Sequence, residues 1–500
     1  PFQPKPWPCC DPAFARVVAM APPCQRSTAL TKGVILLACA VDAADKALLP
    51  ATFKSLDEEL HLGPTKLAAL SFAEGLAFSL ALPLWGSLMR YHSARNLMVA
   101  GCLWWGVLTF FLAAFVHYET QLVLRLLVGA ALASVNPLGQ AMLCDIVPPH
   151  RRGAAFGMLQ SVSMGSAMLV SFATTWVASV EYRGIKGWRY AHLVVGFASL
   201  QAGIAVYRFV EAKPPVSLPP GATWLSEQRR VLCDVGRKPS FLIMVAQGVT
   251  GGIPWNAFAF LIFYFQLSGY SDFQAGQAML LGGVGGIVGG MLGGYLGDFC
   301  SERMCGLAGR VAVAQASVVL GTAAFLWMLS IPYGPGSLSQ VVFANFLFHA
   351  VSCWTPPAAL RPICGEIFRS SHDRAQVLAL WIALEGVISS VCGAPLVGVL
   401  SEAFGYRLAP GGAPIDLDVG QREESRAALQ RALVGVSVVP WVLCFLAWLP
   451  MYWTYPRDRE KAKLEDEDPL ESAARVSLPN ATAASCRRGI STAEDARDAC

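Results

Sequence analysis

The stretch GGVGGIVGGMLGGYLGD occupies residues 282–298, and its one charged side chain, Asp298, closes it. A nucleotide-binding glycine loop follows a strand, whereas these glycines lie in an apolar segment, which argues against a phosphate site. Small residues four apart form a helix face that a second helix can approach closely and slide along within a bilayer. The stretch therefore predicts a membrane-spanning helix with two closely packed faces. The faces consist of Gly282, Gly286, Gly290 and Gly294, and of Gly285, Gly289, Gly293 and Gly297.

The whole chain has the composition that this segment leads us to expect. Of its 500 residues, 54% are apolar and 14% are charged, where a soluble protein carries about 25% charged residues. A soluble globule needs more charged surface, so an ordinary cytosolic enzyme is excluded. The net charge of +4 is small and scattered, so we expect no nucleic-acid partner. The fifteen cysteines include no C-x-x-C pair, and we expect no metal site, cofactor or disulfide framework.

Apolar segments of about 20 residues, the length that crosses a bilayer, recur twelve times. They are residues 31–50, 67–89, 96–116, 121–144, 154–178, 188–209, 240–265, 274–297, 309–331, 339–360, 376–400 and 430–453. We expect an all-α polytopic membrane protein with twelve transmembrane helices in two six-helix lobes. Its parts are a disordered N-terminal segment 1–27, an N-terminal lobe 28–209, a cytoplasmic linker 210–239, a C-terminal lobe 240–453 and a disordered cytoplasmic tail 454–500.

The loops between the spans carry an uneven charge. The even-numbered loops hold more Lys and Arg than the odd-numbered ones, and basic loops stay on the cytoplasmic side. We therefore expect both termini to be cytoplasmic, in a membrane that the sequence leaves open.

The two halves of the chain repeat one another. Pro137, Asp145 and Arg152 correspond to Pro357, Glu366 and Arg374, at offsets of 220, 221 and 222 residues. Gly86-Ser-Leu88 likewise corresponds to Gly294-Tyr-Leu296, each after the second span of its half. A duplicated bundle with a site at the midplane between its halves is a transporter architecture.

These motifs carry a family resemblance. Gly294-Tyr-Leu-Gly-Asp298 resembles the G-x-L-x-D motif of the major facilitator superfamily, although the first-half copy has Arg90 in place of the acid. The chain is also similar to the plant and algal spinster-like branch, which implies lipid substrates such as lysophospholipids and sphingosine phosphate, with proton coupling. The segments that carry this closer resemblance are Asp42-Ala-Ala-Asp45-Lys-Ala-Leu-Leu-Pro50, Arg152-Gly-Ala-Ala-Phe-Gly157-Met-Leu-Gln160, Val245-Ala-Gln-Gly-Val-Thr-Gly-Gly-Ile-Pro-Trp255 and Pro362-Ile-Cys-Gly-Glu366-Ile.

Charged side chains within the spans are the first site candidates, because a charge in lipid is stable only beside a cavity or a partner. The proton-coupling candidates are Asp42, Asp45, Glu385 and Arg125. The alternatives are a structural ion pair of the aspartates with Lys46 or Arg125, and an arginine that snorkels to the interface. In the family that the chain resembles, an Arg usually follows the first acid and an acid is common where Lys46 stands, so this chain departs from that pairing.

A second group of polar and aromatic residues could line the substrate cavity. Its members are Glu74, Asn136, Gln140, Gln160, Gln247, Asn256, His349, Trp255 and Trp354. The alternatives are a protonated glutamate, interhelical hydrogen bonds worth about 1 kcal/mol for the amides and the histidine, and core packing for the tryptophans. Gly251, Gly252 and Pro254 should break span 7 at mid-depth and expose backbone groups to a cavity.

A third group lies at the predicted cytoplasmic helix ends. The resemblance implies a latch between the lobes, formed by Asp298 with Arg303 and by Asp145 with Arg152, and joined by Glu366 and Arg374 in the second half. The alternative is a set of solvated ion pairs worth less than about 1 kcal/mol each.

The sequence thus favours a monomeric secondary transporter that works by alternating access and is not an enzyme. Its expected partners are membrane lipids, protons and a small organic or lysolipid-like solute. No H-E-x-x-H or G-x-S-x-G motif indicates catalysis. A ligand sensor that does not transport, or a gradient-driven lipid flippase on the same fold, remains an alternative.

Overall fold

The computed structural model describes residues 23–89, 91–147, 152–211, 229, 235–303, 306–332, 334–368, 371–407 and 419–467. Helices account for almost all of these residues. In the order of the twelve spans they are Pro23–Leu60; Gly63–Leu88; Ala94–Ala114; Tyr118–Leu132 with Val135–Ile146; Arg152–Val177; Gly187–Phe209; Pro239–Ala257 with Leu261–Leu267; Asp272–Arg303; Ala308–Ser330; Leu338–Ser352 with Arg361–Ile367; Ser371–Cys392 with Ala394–Ala403; and Val419–Trp448.

Within the described residues, nine of the twelve spans are long and apolar enough to cross a membrane by length and composition alone. The three others are spans 1, 5 and 10. Span 1 carries several charges, span 5 is rich in Ser and Thr, and span 10 consists of short pieces.

The bundle has two ends that differ in how the lobes meet. We call the end where residues 210–239 connect the lobes the linker end, and the opposite one the far end. At the far end one apolar cluster joins the lobes, including Phe53 and Leu67 from the first and Phe260 and Val397 from the second. Toward the linker end each lobe has its own core, built around Trp105 in the first lobe and Trp448 in the second.

The glycines of span 8 form the close contact that their spacing predicts. A Cβ on Gly285, Gly289 or Gly293 would collide with span 10, at Phe346, Ala350 and Trp354 in turn. In the other series Gly286 instead faces Met164 of span 5, and no heavy atom lies within 4 Å of the Cβ position on Gly290 among the described residues. The first series is therefore buried against span 10. The second series meets span 10 at Gly282, through Asn345, and faces the first lobe at Gly286.

In the described residues four spans are interrupted: span 7, where a break was predicted, and spans 4, 10 and 11, the last at Gly393. Span 7 stays helical through Gly251 and Gly252, so the predicted break there is wrong. A 3-10 turn at Phe258–Phe260 follows Pro254 instead, because a proline removes a hydrogen bond and clashes with the preceding turn without always ending the helix. Span 4 bends at Ala133–Ser134, and span 10 bends at Cys353–Trp354 before a π-helical turn, Pro356–Leu360.

The predicted boundaries change at both termini. The first helix begins at Pro23, inside the segment predicted to be disordered. After span 12 a helix runs over Met451–Glu467, so residues 454–467 are not the disordered tail that their charge suggested. This tail helix is stable because it packs on the second lobe, where Tyr455 is fully buried. A short hairpin, β1 (Glu181–Tyr182) and β2 (Ile185–Lys186), joins spans 5 and 6.

The two glycine series of span 8 give a matched pair of substitutions. Gly289→Ala places a methyl group against the Ala350 carbonyl and should destabilise the protein by about 1–3 kcal/mol, as overpacking of a core does. Gly290→Ala meets open space and should leave the unfolding temperature unchanged or slightly higher. Thermal unfolding of both variants in detergent measures the difference, and equal melting temperatures would contradict the packing described here.

Candidate functional site

The first lobe holds a cluster of charged side chains at mid-depth. The ammonium of Lys46 lies 2.8 Å from Oδ2 of Asp42, one helical turn away. Thr109 donates a hydrogen bond of 3.3 Å to Oδ1 of Asp45. Among the described residues, Oδ1 of Asp42 and Oδ2 of Asp45 are buried and accept no hydrogen bond, although the Trp105 indole lies near the latter. Both aspartates therefore have unused acceptor capacity inside the membrane.

Arg125 sits at the centre of the same cluster and is almost completely buried. Its Nη1 lies 3.0 Å from Oε2 of Glu74 on span 2, and its Nη2 lies 2.9 Å from Nε2 of His192 on span 6. Nδ1 of His192 lies 2.8 Å from the Trp188 carbonyl. Because that carbonyl only accepts, Nδ1 carries the hydrogen and Nε2 accepts from the guanidinium. The arginine is thus held by one carboxylate and one neutral imidazole, and it does not snorkel to the interface.

The helices that carry this cluster can come close because of a glycine. A Cβ on Gly129 of span 4 would collide with the backbone carbonyl of Glu74 on span 2. Gly129 lies one turn after Arg125, so the absence of a side chain there brings the guanidinium within reach of the Glu74 carboxylate. Asp42, Asp45 and Arg125, predicted as proton-coupling residues, and Glu74, predicted as a cavity residue, therefore lie in one cluster. In this described cluster, three carboxylates face two cations, Lys46 and Arg125.

At the far end, ionic contacts hold the lobes together above the cluster. Nζ of Lys54 on span 1 lies 2.7 Å from Oδ1 of Asp272 on span 8, and Gln266 donates to the same oxygen at 3.0 Å. The rings of Phe53 and Phe260 pack at 5.0 Å between centroids. These contacts join span 1 to spans 7 and 8.

Two further helix pairs close the far end. The N–H of Thr65 on span 2 donates a bond of 3.2 Å to Glu402 on span 11. Phe172 on span 5 lies edge-on to Phe273 on span 8, with 5.4 Å between ring centroids. The lobes are therefore in direct contact on every side of the far end that these residues describe.

One of these helix pairs, spans 5 and 8, separates toward the linker end. Span 5 contacts span 8 through Phe172, Met168 and Met164, which are four residues apart on one face. Gln160 continues that face by one more turn, and it is exposed. On span 8 the facing position is Gly290, and no heavy atom of the described residues lies within 4 Å of its Cβ position. Within the described residues the lobes thus leave a cleft between spans 5 and 8 that is closed at the far end and open toward the linker end, with Gln160 at its mouth.

The second lobe contributes a carboxylate to the cleft wall. Glu385 on span 11 packs against Gly248 and Gly252 of span 7, where a Cβ would lie within 3 Å of its oxygens. No ion pair or hydrogen bond to this carboxylate occurs in the described part of the chain, and the side chain is partly exposed. The Trp381 indole, one turn earlier, packs against the same glycine, Gly248. The two glycines therefore create the recess that Glu385 occupies.

Aromatic residues form the rest of this wall. Trp255 is 41% exposed although it belongs to a membrane-spanning helix, and its ring lies 5.9 Å from His349 and stacks on Phe348. Nδ1 of His349 lies 2.9 Å from the Asn345 carbonyl, so its Nε2 remains available to accept. Oδ1 of Asn345 is buried and, among the described residues, accepts no hydrogen bond. Trp255 thus presents an exposed aromatic face, and the buried His349 lies behind it.

The other cavity candidates are placed less favourably. Gln247 is buried and donates to the Met244 carbonyl of its own helix, and Asn256 donates to Gly252 in the same way. Trp354 donates to Ala350 and packs against the span 8 glycines. These three residues have structural partners. Asn136 and Gln140 of span 4 are joined by a bond of 2.8 Å and keep some exposure.

The predicted latch has different partners from those expected. Asp298 pairs with Arg310 of span 9 at 2.9 Å, so the pairing with Arg303 is wrong. Five residues separate 298 from 303 on one helix, which turns the two side chains about 140° apart; Arg303 instead lies over the Phe299 ring. The side chains of Asp145, Arg152 and Arg374 lie outside the described residues.

Glu366 belongs to the same group as Asp298, and all of its partners are in the second lobe. It accepts from the Tyr455 hydroxyl at 2.7 Å, Nε of Arg459 forms an ion pair with it at 2.5 Å, and Arg310 lies 3.9 Å away. Burial, and then the bond to Glu366, raise the pKa of the Tyr455 phenol above its usual value, so it remains a donor. In this conformation the described contacts of Asp298 and Glu366 bind the tail helix and span 9, and do not reach the first lobe.

Comparison with known proteins agrees with this geometry. The family model of the Major Facilitator Superfamily matches residues 35–360, more than half of the chain. The chain belongs to the major facilitator superfamily. It is therefore a multi-pass integral membrane protein of a transporter family, and the two lobes and the cleft are those of that fold.

Individual relatives of this superfamily member are distant. A probable L-galactonate transporter of Escherichia coli (strain K12) is 26% identical over 201 residues, which are 39% of this chain and 43% of the relative. A bacterial homologue of the human lysosomal transporter Spinster, in an inward-facing and occupied conformation, has a TM-score of 0.69 at 15% identity and covers 87% of this chain and 98% of its own. A D-xylose–proton symporter has a TM-score of 0.57 at 14% identity, over 82% and 97% of the two chains. These structures share the fold.

Sequence reasoning missed several residues of this transporter's site. His192 lies in an apolar segment, as do the asparagines and glutamines predicted to line the cavity. The criterion of a polar residue within a span therefore also applies to it. Lys46 was considered only as a partner of the aspartates. Lys54 and Asp272 lie at opposite ends of separate helices, and no pattern in the sequence indicates that they meet.

The pair of Arg125 and Glu74 can be tested by a double-mutant cycle. Arg125→Met leaves a carboxylate buried without its cation, which costs about 3–5 kcal/mol. Adding Glu74→Gln removes the stranded charge and should recover a large part of that loss. Thermal unfolding of the detergent-purified single and double variants gives the coupling, and strictly additive effects would show that the two groups do not interact.

Proposed function

We propose that this protein is a secondary active transporter that moves a small organic or lipid-like solute by alternating access, coupled to protons. One observation carries the proposal: the lobes touch at the far end and separate at the linker end, around charged residues at mid-depth. A secondary active transporter has no nucleotide site, so its substrate site must open to one side of the membrane at a time. Rocking of the lobes about the same site would expose it to the other side.

The charges in the first lobe support proton coupling. Three carboxylates share two cations there, and two carboxylate oxygens accept no hydrogen bond within the described structure. A buried carboxylate without a full set of partners is stabilised by binding a proton. Asp42 and Asp45 are the proposed proton carriers, and Arg125 with Glu74 is the pair that senses their charge. Glu385 supplies a further carboxylate on the opposite wall.

The cleft also limits the kinds of solute and the orientation that we propose. Trp255, His349, Lys46 and Glu385 combine apolar, neutral polar and charged groups on its walls. This mixture suits an amphipathic or zwitterionic molecule, of lysolipid type or of the sugar-acid type that the bacterial relative's name indicates. The excess of basic residues in the even-numbered loops supports a cytoplasmic linker end, and hence an inward-open state here.

Uptake into proteoliposomes tests the coupling. We expect a pH gradient to drive accumulation of a substrate found by screening. The gradient-driven rate of uptake should be at least about tenfold lower in Asp42→Asn and Asp45→Asn, because neither amide can carry the proton. Exchange of substrate across the membrane without a gradient should persist in both variants.

The controls separate this function from its alternatives. Lys66→Ala, at an exposed position near Tyr118, should behave as the unmodified chain. Uptake that ignores the gradient and survives both aspartate substitutions would contradict proton coupling and favour a passive flippase. Ligand binding without any exchange would favour a sensor.

A disulfide staple tests alternating access. A Cβ on Gly276 would lie 3.5 Å from Cα of Phe172, which is close enough for a disulfide between the cysteines of Phe172→Cys/Gly276→Cys. Oxidation should fix the far end closed and stop uptake, and a reducing agent should restore it.

The matching control uses the same two helices nearer the linker end. Gln160→Cys/Gly290→Cys should crosslink much more slowly, because the helices have separated there. Uptake that continues at full rate in the oxidised Phe172→Cys/Gly276→Cys protein would rule out movement of the lobes at the far end.

A further inference from the structure

We propose that Lys46 binds an anionic group of the solute, a carboxylate or a phosphate, in direct competition with Asp42. This inference rests on the transporter function proposed above and assigns one pole of its substrate. It makes the Lys46 ammonium a binding group, whereas sequence reasoning treated it only as a counter-ion.

Helix geometry places Lys46 on the cleft side of span 1. Phe53 and Lys54, seven and eight residues later, contact the second lobe through Phe260 and Asp272. Residues seven or eight apart share a face of an α-helix. Lys46 therefore lies two turns toward the linker end on the face that meets the other lobe. The lobes part in that direction, and the Lys46 side chain is 33% exposed, so it faces the cleft.

The ammonium has hydrogen-bonding capacity to spare. It carries three donors, and among the described residues its one acceptor is Oδ2 of Asp42. It also lies 4.4 Å from the centre of the Phe78 ring, which fixes its position without using a donor. A positioned, partly desolvated cation with donors directed to an open cleft is suited to bind an anion.

The opposite wall gives the solute a direction. Ser79, next to Phe78, packs directly against Gly386 of the other lobe, and Glu385 is the neighbour of Gly386. Lys46 and Glu385 therefore lie at a similar depth on different lobes. A solute whose anionic group binds Lys46 would place its neutral or cationic part toward Glu385 and the exposed face of Trp255.

Competition follows from the geometry of the ion pair. A solute anion that takes the ammonium from Asp42 leaves that carboxylate without its counter-ion, in a buried site where its second oxygen accepts no described hydrogen bond. Asp42 and the solute anion thus share one cation. Removing the Asp42 charge should strengthen anion binding more than removing the charge of Asp45, which makes no bond to Lys46.

Equilibrium binding to the full-length protein in detergent tests this assignment. The probes are two matched pairs: galactonate with galactitol, and lysophosphatidate with monoacylglycerol. Binding of each probe is measured as the rise that it causes in the melting temperature. At least one anion should bind about 10- to 100-fold more tightly than its neutral analogue. Preference for galactonate identifies a small organic acid, and preference for lysophosphatidate identifies a lipid headgroup. If neither anion is preferred, the proposal is overturned.

Three variants connect that preference to Lys46. Lys46→Ala should abolish it, and Asp42→Asn should strengthen it more than Asp45→Asn does. Lys46→Ala/Asp42→Asn removes one charge of each sign and leaves the net charge of the cluster unchanged, so no carboxylate is stranded. This variant should also show no preference. A preference that survives in this folded double variant overturns the assignment, as does equal strengthening by the two aspartate substitutions.

Failure of this inference differs from failure of the transport proposal. Binding is measured without transport, so an anion preference that depends on Lys46 stands even if proteoliposomes show no exchange. Conversely, exchange of a neutral solute without a gradient that is unaffected in Lys46→Ala/Asp42→Asn would remove the anion subsite and leave the transporter in place.

Discussion

A charged side chain within a bilayer is stable only beside a counter-ion, a hydrogen-bond partner or water, and the organisation of this protein follows from that constraint. Arg125 meets it through Glu74 and His192, which tie spans 2, 4 and 6 into one lobe. Lys46 meets it partly through Asp42 and partly through exposure to the cleft. Glu385 has no charged partner among the described residues and lies in a recess between glycines that stays partly open. The cleft is therefore required by the charges as much as by the shape of the lobes.

The sequence predicted the number of spans and their grouping into lobes because both follow from local apolarity and from the repeat. It also predicted that Asp42, Asp45, Glu74 and Arg125 matter, since charges in lipid are rare. The partners were harder to predict. Asp298 forms an ion pair with Arg310 and not with Arg303. The direction of a side chain on its helix, and not its distance along the chain, determines which residues are in contact. His192 becomes a ligand of Arg125 only when three helices pack, which no single segment encodes.

The interruptions of the helices show the same limit. Pro254 indicated a bend in span 7, and the bend lies just after it at Phe258–Phe260. Span 4 bends at Ala133–Ser134 and span 10 at Cys353–Trp354, with no glycine pair to predict either. These two bends are 220 residues apart, the same offset that relates Pro137 to Pro357. The repeat thus preserves backbone irregularities that the residue types at the bends do not reveal.

The tail helix changes where the second lobe ends as a folding unit. Asp458 accepts the N–H of Ser240 at 2.9 Å and so caps the first turn of span 7, while Arg459 and Tyr455 complete the shell of Glu366. A chain that ended after span 12 would leave the N–H of Ser240 without the Asp458 acceptor. Glu366 would keep only Arg310, at 3.9 Å, as a cationic partner among the described residues. Any shortened form of this transporter should therefore keep its residues through Glu467, and fusion partners belong beyond that point.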